Sequence, residues 1–112
     1  MFLFTQYGIK GMAPKEAGVC RIVRAKIGRR NGRELYVGES LSLEESLLEL
    51  CTGKSTLTGW LQAGGADYWE CETVGDEKRR MALAEHWCRQ FKPLWDEDQR
   101  VLPHFGPEFD SS

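Results

Sequence analysis

The chain has 112 residues, 41% hydrophobic and 29% charged, with 15 Lys and Arg against 17 Asp and Glu. This is the size and balance of one globular domain, and the apolar runs are too short to span a bilayer. A net charge of −2 gives no global attraction for a polyanion, so any such partner must be held by a local site.

The first residues carry neither a basic segment nor a long apolar stretch, so the expectation is a cytoplasmic protein without an export signal. Cys20, Cys51, Cys71 and Cys88 form no CxxC pair; zinc is not expected, and reduced, buried thiols are. Residues 1–14 form an aromatic, Gly-punctuated arm that either adds an edge strand or wraps the core. Pro14-Lys15-Glu16 then reads as a turn at the start of ordered structure.

From Gly18 to Ile27 the pattern is strand-like. Val19, Ile22, Val23 and Ile27 carry the pattern, with Cys20 beside them and Arg21, Arg24 and Lys26 as the solvent-facing partners. Gly28 to Gly32 is a hairpin loop whose Asn31-Gly32 pair tolerates positive φ, and Glu34 to Val37 is the returning strand. Gly38 stops that strand, and Ser42 with Glu45 matches a capping box for a helix whose Leu43, Leu47 and Leu50 share one face. Gly53 ends this helix. A short helix follows over Thr56 to Gln62, stopped by Gly64-Gly65, and then an alternating strand from Tyr68 to Val74. Asp76 is placed to cap a long last helix with an apolar stripe of Met81, Ala84, Cys88 and Phe91, joined by Leu83 and Trp87 and ended by Pro93. The order is β-β-α-α-β-α. The predicted class is α+β (α/β): a single domain, 1–112, with a small three-stranded antiparallel sheet flanked by helices, a core over about 17–97 and a polar tail over 98–112.

Gly18-Val19-Cys20 on the first strand and Tyr36-Val37-Gly38 on the second resemble the two halves of the GIY-YIG nuclease motif. "YWECE" resembles that family's third strand, Glu85 sits on the last helix, and "FKPLWDE" (Phe91 to Glu97) resembles its closing segment. The resemblance implies metal-assisted hydrolysis of a phosphodiester, with Glu85 as the ligand of one divalent cation, Mg²⁺ or Mn²⁺. It also implies that the aromatic hydroxyl of Tyr36 orients water in the same cleft. A first-helix arginine is implied for charge that builds on the phosphate, and an asparagine in the closing segment.

Residue by residue the carry-over is partial. Cys20 stands at the first tyrosine, Ser46 at the arginine and Asp96 at the asparagine. Losing one preorganised electrostatic donor costs on the order of 3–4 kcal/mol in transition-state stabilisation. Glu39, Glu44, Glu45 and Glu49 surround the mouth of the first helix with no Lys or Arg between residues 39 and 50, and the helix dipole offsets only about half a charge.

The strongest local site for a polyanion is the basic hairpin, with Arg21, Arg24, Lys26, Arg29, Arg30 and Arg33; the same charges also discourage edge pairing. Lys78-Arg79-Arg80 reads as the solvent face of the last helix, His86 and His104 as surface histidines, and the four tryptophans mostly as core. Three functional readings follow. The first is a GIY-YIG-like domain with lost or greatly weakened nuclease activity, acting as a nucleic-acid- or protein-binding module. The second is a divergent endonuclease in which Glu85 holds the cation and Arg21 or Arg24 replaces the missing arginine. The third is a likeness of fold alone.

Overall fold

The computed structural model describes residues 1–25 and 31–95. In chain order these form β1 (Phe2–Leu3), α1 (Gln6–Met12), β2 (Gly18–Arg24), β3 (Arg33–Ser40), α2 (Leu43–Thr52), α3 (Thr56–Ala63), β4 (Tyr68–Thr73) and α4 (Glu77–Phe91). The sheet has four strands, not three, in the order β1-β4-β2-β3, and every pairing is antiparallel. The extra strand is the two-residue β1, which pairs Phe2 with Trp69 and Leu3 with Tyr68. Two residues cannot carry a legible alternation, which is why composition alone left this segment open between strand and arm. Its continuation is the helix α1, capped by Thr5, whose hydroxyl accepts the Gly8 N–H at 3.0 Å.

Helices α1, α2 and α3 cover one face of the sheet and α4 the other. On the first face Cys20, Ile22 and Trp69 join Leu43, Leu47, Leu50, Trp60, Leu61 and Ile9 in one cluster. Each fully buried leucine of α2 contributes about 1.5–3 kcal/mol of hydrophobic stabilisation. Gly18 is needed where α2 meets the sheet, because a Cβ there would run into the Glu72 carbonyl oxygen and the Leu43 side chain. α3 begins at Ser55, whose hydroxyl accepts the Thr58 N–H, and α4 at Asp76, whose carboxylate accepts the Arg79 N–H.

The Ser42–Glu45 capping box does not form, since Ser42 makes no side-chain cap. Carbonyls from the preceding loop satisfy the helix instead: the Leu43 N–H donates to Glu16 O at 3.0 Å and the Glu44 N–H to Pro14 O at 2.9 Å.

Two orientations differ from the sequence reading. Arg21 and Arg24 do not face solvent, because α4 covers the face of Arg21 and Arg24 is 2% exposed. Met81 is not in the buried stripe of α4. It is 56% exposed, while Arg80 is buried and Leu83, Ala84, Trp87, Cys88 and Phe91 are half-buried. Leu47→Ala is therefore expected to lose about 2–5 kcal/mol in urea unfolding, whereas Met81→Ala should stay within about 0.5 kcal/mol of the parent.

Candidate functional site

Strand β3 leads into α2 through Tyr36-Val37-Gly38, so the candidate site begins there. Tyr36 pairs with Ile22 and Gly38 with Cys20, which puts all four on the sheet face covered by α2. Tyr36 is 7% exposed. Its ring lies along the strand over Gly38, where a Cβ would strike its hydroxyl and ring, so the glycine is required by the tyrosine two residues before it. On its other side Trp95 stacks at 4.8 Å between centroids and 11° between planes. Trp95 is held by backbone: its N–H donates to Leu35 O at 3.0 Å, and its carbonyl accepts the Val37 N–H at 3.4 Å. The segment after α4 thus closes over Tyr36 as a parallel bridge on the edge of β3.

At the position implied for an arginine, Ser46 hydrogen-bonds Ser40 Oγ, which also donates to Ser42 O at 2.7 Å and accepts the Ser42 N–H at 2.9 Å. These hydroxyls lock the strand-to-helix junction. The 14–16 loop already fills the amino end of α2, whose first turn carries Glu44 and Glu45 and whose last turn carries no base. An anion therefore finds no open N–H groups at Leu43 and Glu44 and no cation on this helix.

Glu85 lies elsewhere. Its side chain is 67% exposed and pairs with Arg89 at 3.5 Å, one turn along the solvent face of α4. The inward position beside it is Ala84. Tyr36 is under Trp95 on the sheet face covered by α2, whereas Glu85 points from α4 to solvent. Among the described residues, no group of three or more His, Cys, Asp or Glu is placed to hold a metal. Asp96 lies outside the described residues, as do Lys26, Arg29 and Arg30.

The α4 face holds Arg21 and Arg80, two charges that sequence reasoning assigned to solvent. Arg21 Nη1 donates to Glu34 Oε1, and Nε pairs with Glu70 Oε1, each at 2.5 Å; the second is an ion pair outside hydrogen-bond alignment. The guanidinium carbon stands 3.8 Å from the Phe91 ring centroid. Arg24 Nε donates to Asn31 O at 2.9 Å. Arg33 alone of the described hairpin arginines is exposed, beside a hollow of about 230 Å³ at the root of the hairpin. Arg80, read as surface, is 5% exposed. Its Nε donates to Glu39 Oε2 at 3.0 Å, and its Nη1 reaches Gly75 O at 3.1 Å and Val74 O at 3.4 Å. The available signal was its spacing, four before Ala84 and seven before Trp87.

Burial pushes the Glu34 carboxyl above its ordinary value; Arg21 opposes this and Glu70 adds to it. Its Oε2 is buried without a hydrogen-bond partner. Two carboxylates share one guanidinium.

No family model matches the chain, and no curated protein matches its sequence. Among solved structures it is similar to the magnesium-bound GIY-YIG N-terminal endonuclease domain of UvrC from Thermotoga maritima, at 20% identity and TM-score 0.57, over 76% of this chain and 91% of that one. A point mutant of that domain, bound to its catalytic divalent cation, aligns at TM-score 0.58 and 20% identity over 76% and 90%. The fold is thus the GIY-YIG α+β fold. Among the described residues no helix is long and apolar enough to cross a membrane.

Gly38→Ala should cost about 1–3 kcal/mol through overpacking against Tyr36, read by urea unfolding. The sign for Glu34 follows from its raised value in the folded state. Its contribution to stability is full below the ordinary carboxylate value and is lost as pH climbs through the raised value. Glu34→Gln should flatten that decline in a plot of Tm against pH.

Proposed function

We propose that this GIY-YIG-fold domain does not cleave phosphodiesters efficiently and serves as a nucleic-acid-binding module whose contact is the basic hairpin. The observation that carries the reading is the position of Tyr36, sealed between Gly38 and Trp95, while the carboxylate implied as its metal-holding partner points outward from α4 and pairs with Arg89. Among the described residues no group of three or more His, Cys, Asp or Glu is placed to hold a divalent cation, and the inward side chain next to Glu85 is Ala84. The acids of α2 and the filled amino end of that helix disfavour a phosphate at the mouth of the strand-to-helix turn.

Binding then falls to Lys26, Arg29, Arg30 and Arg33, because Arg21 and Arg24 are engaged inside the fold. Four phosphate contacts on duplex DNA correspond to a slope of about −3.6 in log affinity against log salt. A divergent endonuclease using Mg²⁺ or Mn²⁺ at Glu85 is the second reading, favoured by the likeness to a magnesium-bound nuclease domain.

One experiment separates them. The protein is incubated with plasmid and branched DNA in Mg²⁺ and in Mn²⁺, beside Glu85→Ala, and binding is followed across salt concentrations. The expected result is no metal-dependent cleavage, with a salt-sensitive shift lost in Arg29→Ala combined with Arg30→Ala. Cleavage abolished by Glu85→Ala would establish the second reading. Absence of any shift at low salt would remove the nucleic acid and leave a protein partner.

A further inference from the structure

None of the four cysteines is in a disulfide, and β2 and β4 set two of them directly opposite each other, Cys20 against Cys71. The hydrogen-bond alternation of the ladder fixes what kind of pair this is. The Val74 N–H donates to Ala17 O at 2.9 Å, one step beyond the Gly18 and Thr73 pair, so Ala17 and Val74 are a hydrogen-bonded pair. Counting inward, Gly18 with Thr73 and Cys20 with Cys71 are non-hydrogen-bonded pairs. In such a pair the Cα atoms lie about 4.5 Å apart and the side chains approach most closely. That separation falls at the short end of the roughly 4.4–6.8 Å range a disulfide spans. Both side chains leave the sheet on the α2 face, where Cys20 is 1% exposed and Cys71 packs half-buried against the same cluster. The other two thiols point elsewhere: Cys51 sits on α2 with its S–H directed to Phe4 O at 3.6 Å, and Cys88 lies on α4, beyond the opposite face.

We propose that Cys20 and Cys71 form a cross-strand oxidation site, closed to a disulfide by a low-molecular-weight disulfide such as oxidised glutathione. The Cys71 thiolate, on the more open side, attacks one sulfur of the oxidant and releases one glutathione thiolate. The Cys20 thiolate then attacks the Cys71 sulfur of the mixed disulfide and releases the second. The protein loses two thiol protons and two electrons, and the oxidant gains both electrons as two glutathione thiols. Burial, with Glu70 adding to it, pushes the Cys71 thiol above its ordinary value, so little thiolate is present at neutral pH and the first attack is slow there. The bond would staple the central strand to β4 at the position where the GIY-YIG resemblance places a tyrosine. This inference does not rest on the proposed function.

The full-length chain is treated with oxidised glutathione over a range of pH, the free thiols are alkylated, and the proteolytic peptides are mapped by mass spectrometry. The expected product is monomeric and lighter by two hydrogens, with Cys20 and Cys71 in one linked peptide pair and Cys51 and Cys88 alkylated. Its rate should rise about tenfold per pH unit below the thiol value. Cys71→Ser, at the half-buried position, should abolish the intramolecular bond. Mapping on the parent chain needs no variant, so it decides the question even if a substitution at Cys20 prevents folding. A disulfide to Cys51 or Cys88, a bond between two molecules, or a folded chain that stays fully alkylatable throughout would each overturn the proposal.

Discussion

Strand β2 is covered on both faces, and the rest of the molecule answers to that constraint. A strand with no solvent side offers a charge no outward escape, yet its middle residue is Arg21. The neighbouring strands therefore flank it with Glu34 and Glu70, and α4 lays Phe91 across it. At the far end of the same helix Arg80 grips Glu39 and the carbonyls of the loop before α4. Between these two arginine contacts lie the buried Val19 and Val37. One helix is thus fixed at both ends by charge and in the middle by apolar burial. Breaking such a charge pair by removing one partner leaves the other stranded in a dry setting, the costly case for buried ions.

Much of this was legible in local pattern. The order of the core elements, the leucine face of α2, the stop at Gly38 and the Asp76 cap each depend on residues within a turn or two of one another. What was not legible was tertiary. Alternation along β2 shows that Arg21 shares a face with Val19 and Val23, but not that a helix lies on that face. On α4 the misplacement is confined to the first turn of the stripe: Arg80 lies inside and Met81, about 100° further round the helix, faces solvent, while Leu83, Ala84, Trp87, Cys88 and Phe91 are half-buried where the pattern put them. A triplet of basic residues masked the inward arginine. The box at Ser42 lost to carbonyls from the 14–16 loop, a competitor that no short window contains.

At the candidate site, packing alone accounts for several of the motif residues. Tyr36 and Gly38 explain each other without reference to any substrate, because the ring needs the space that the missing side chain leaves. Ser46 is likewise accounted for by the hydroxyl cluster at the junction. Motif residues can therefore persist for packing reasons alone.

The two-residue strand β1 has a bearing on how the sheet is completed. The Trp69 indole N–H donates to Leu3 O at 3.0 Å across 66 positions of chain, and Phe4 N–H reaches Asp67 O at 2.8 Å. Closing a loop of that length is entropically costly, and the strand itself offers only two paired residues to offset it, the rest coming from Phe4 and Ile9 in the core. The opening segment should consequently dock after the hairpin has formed and detach before it, and amide exchange at Phe4 faster than at Val19 would register that sequence of events.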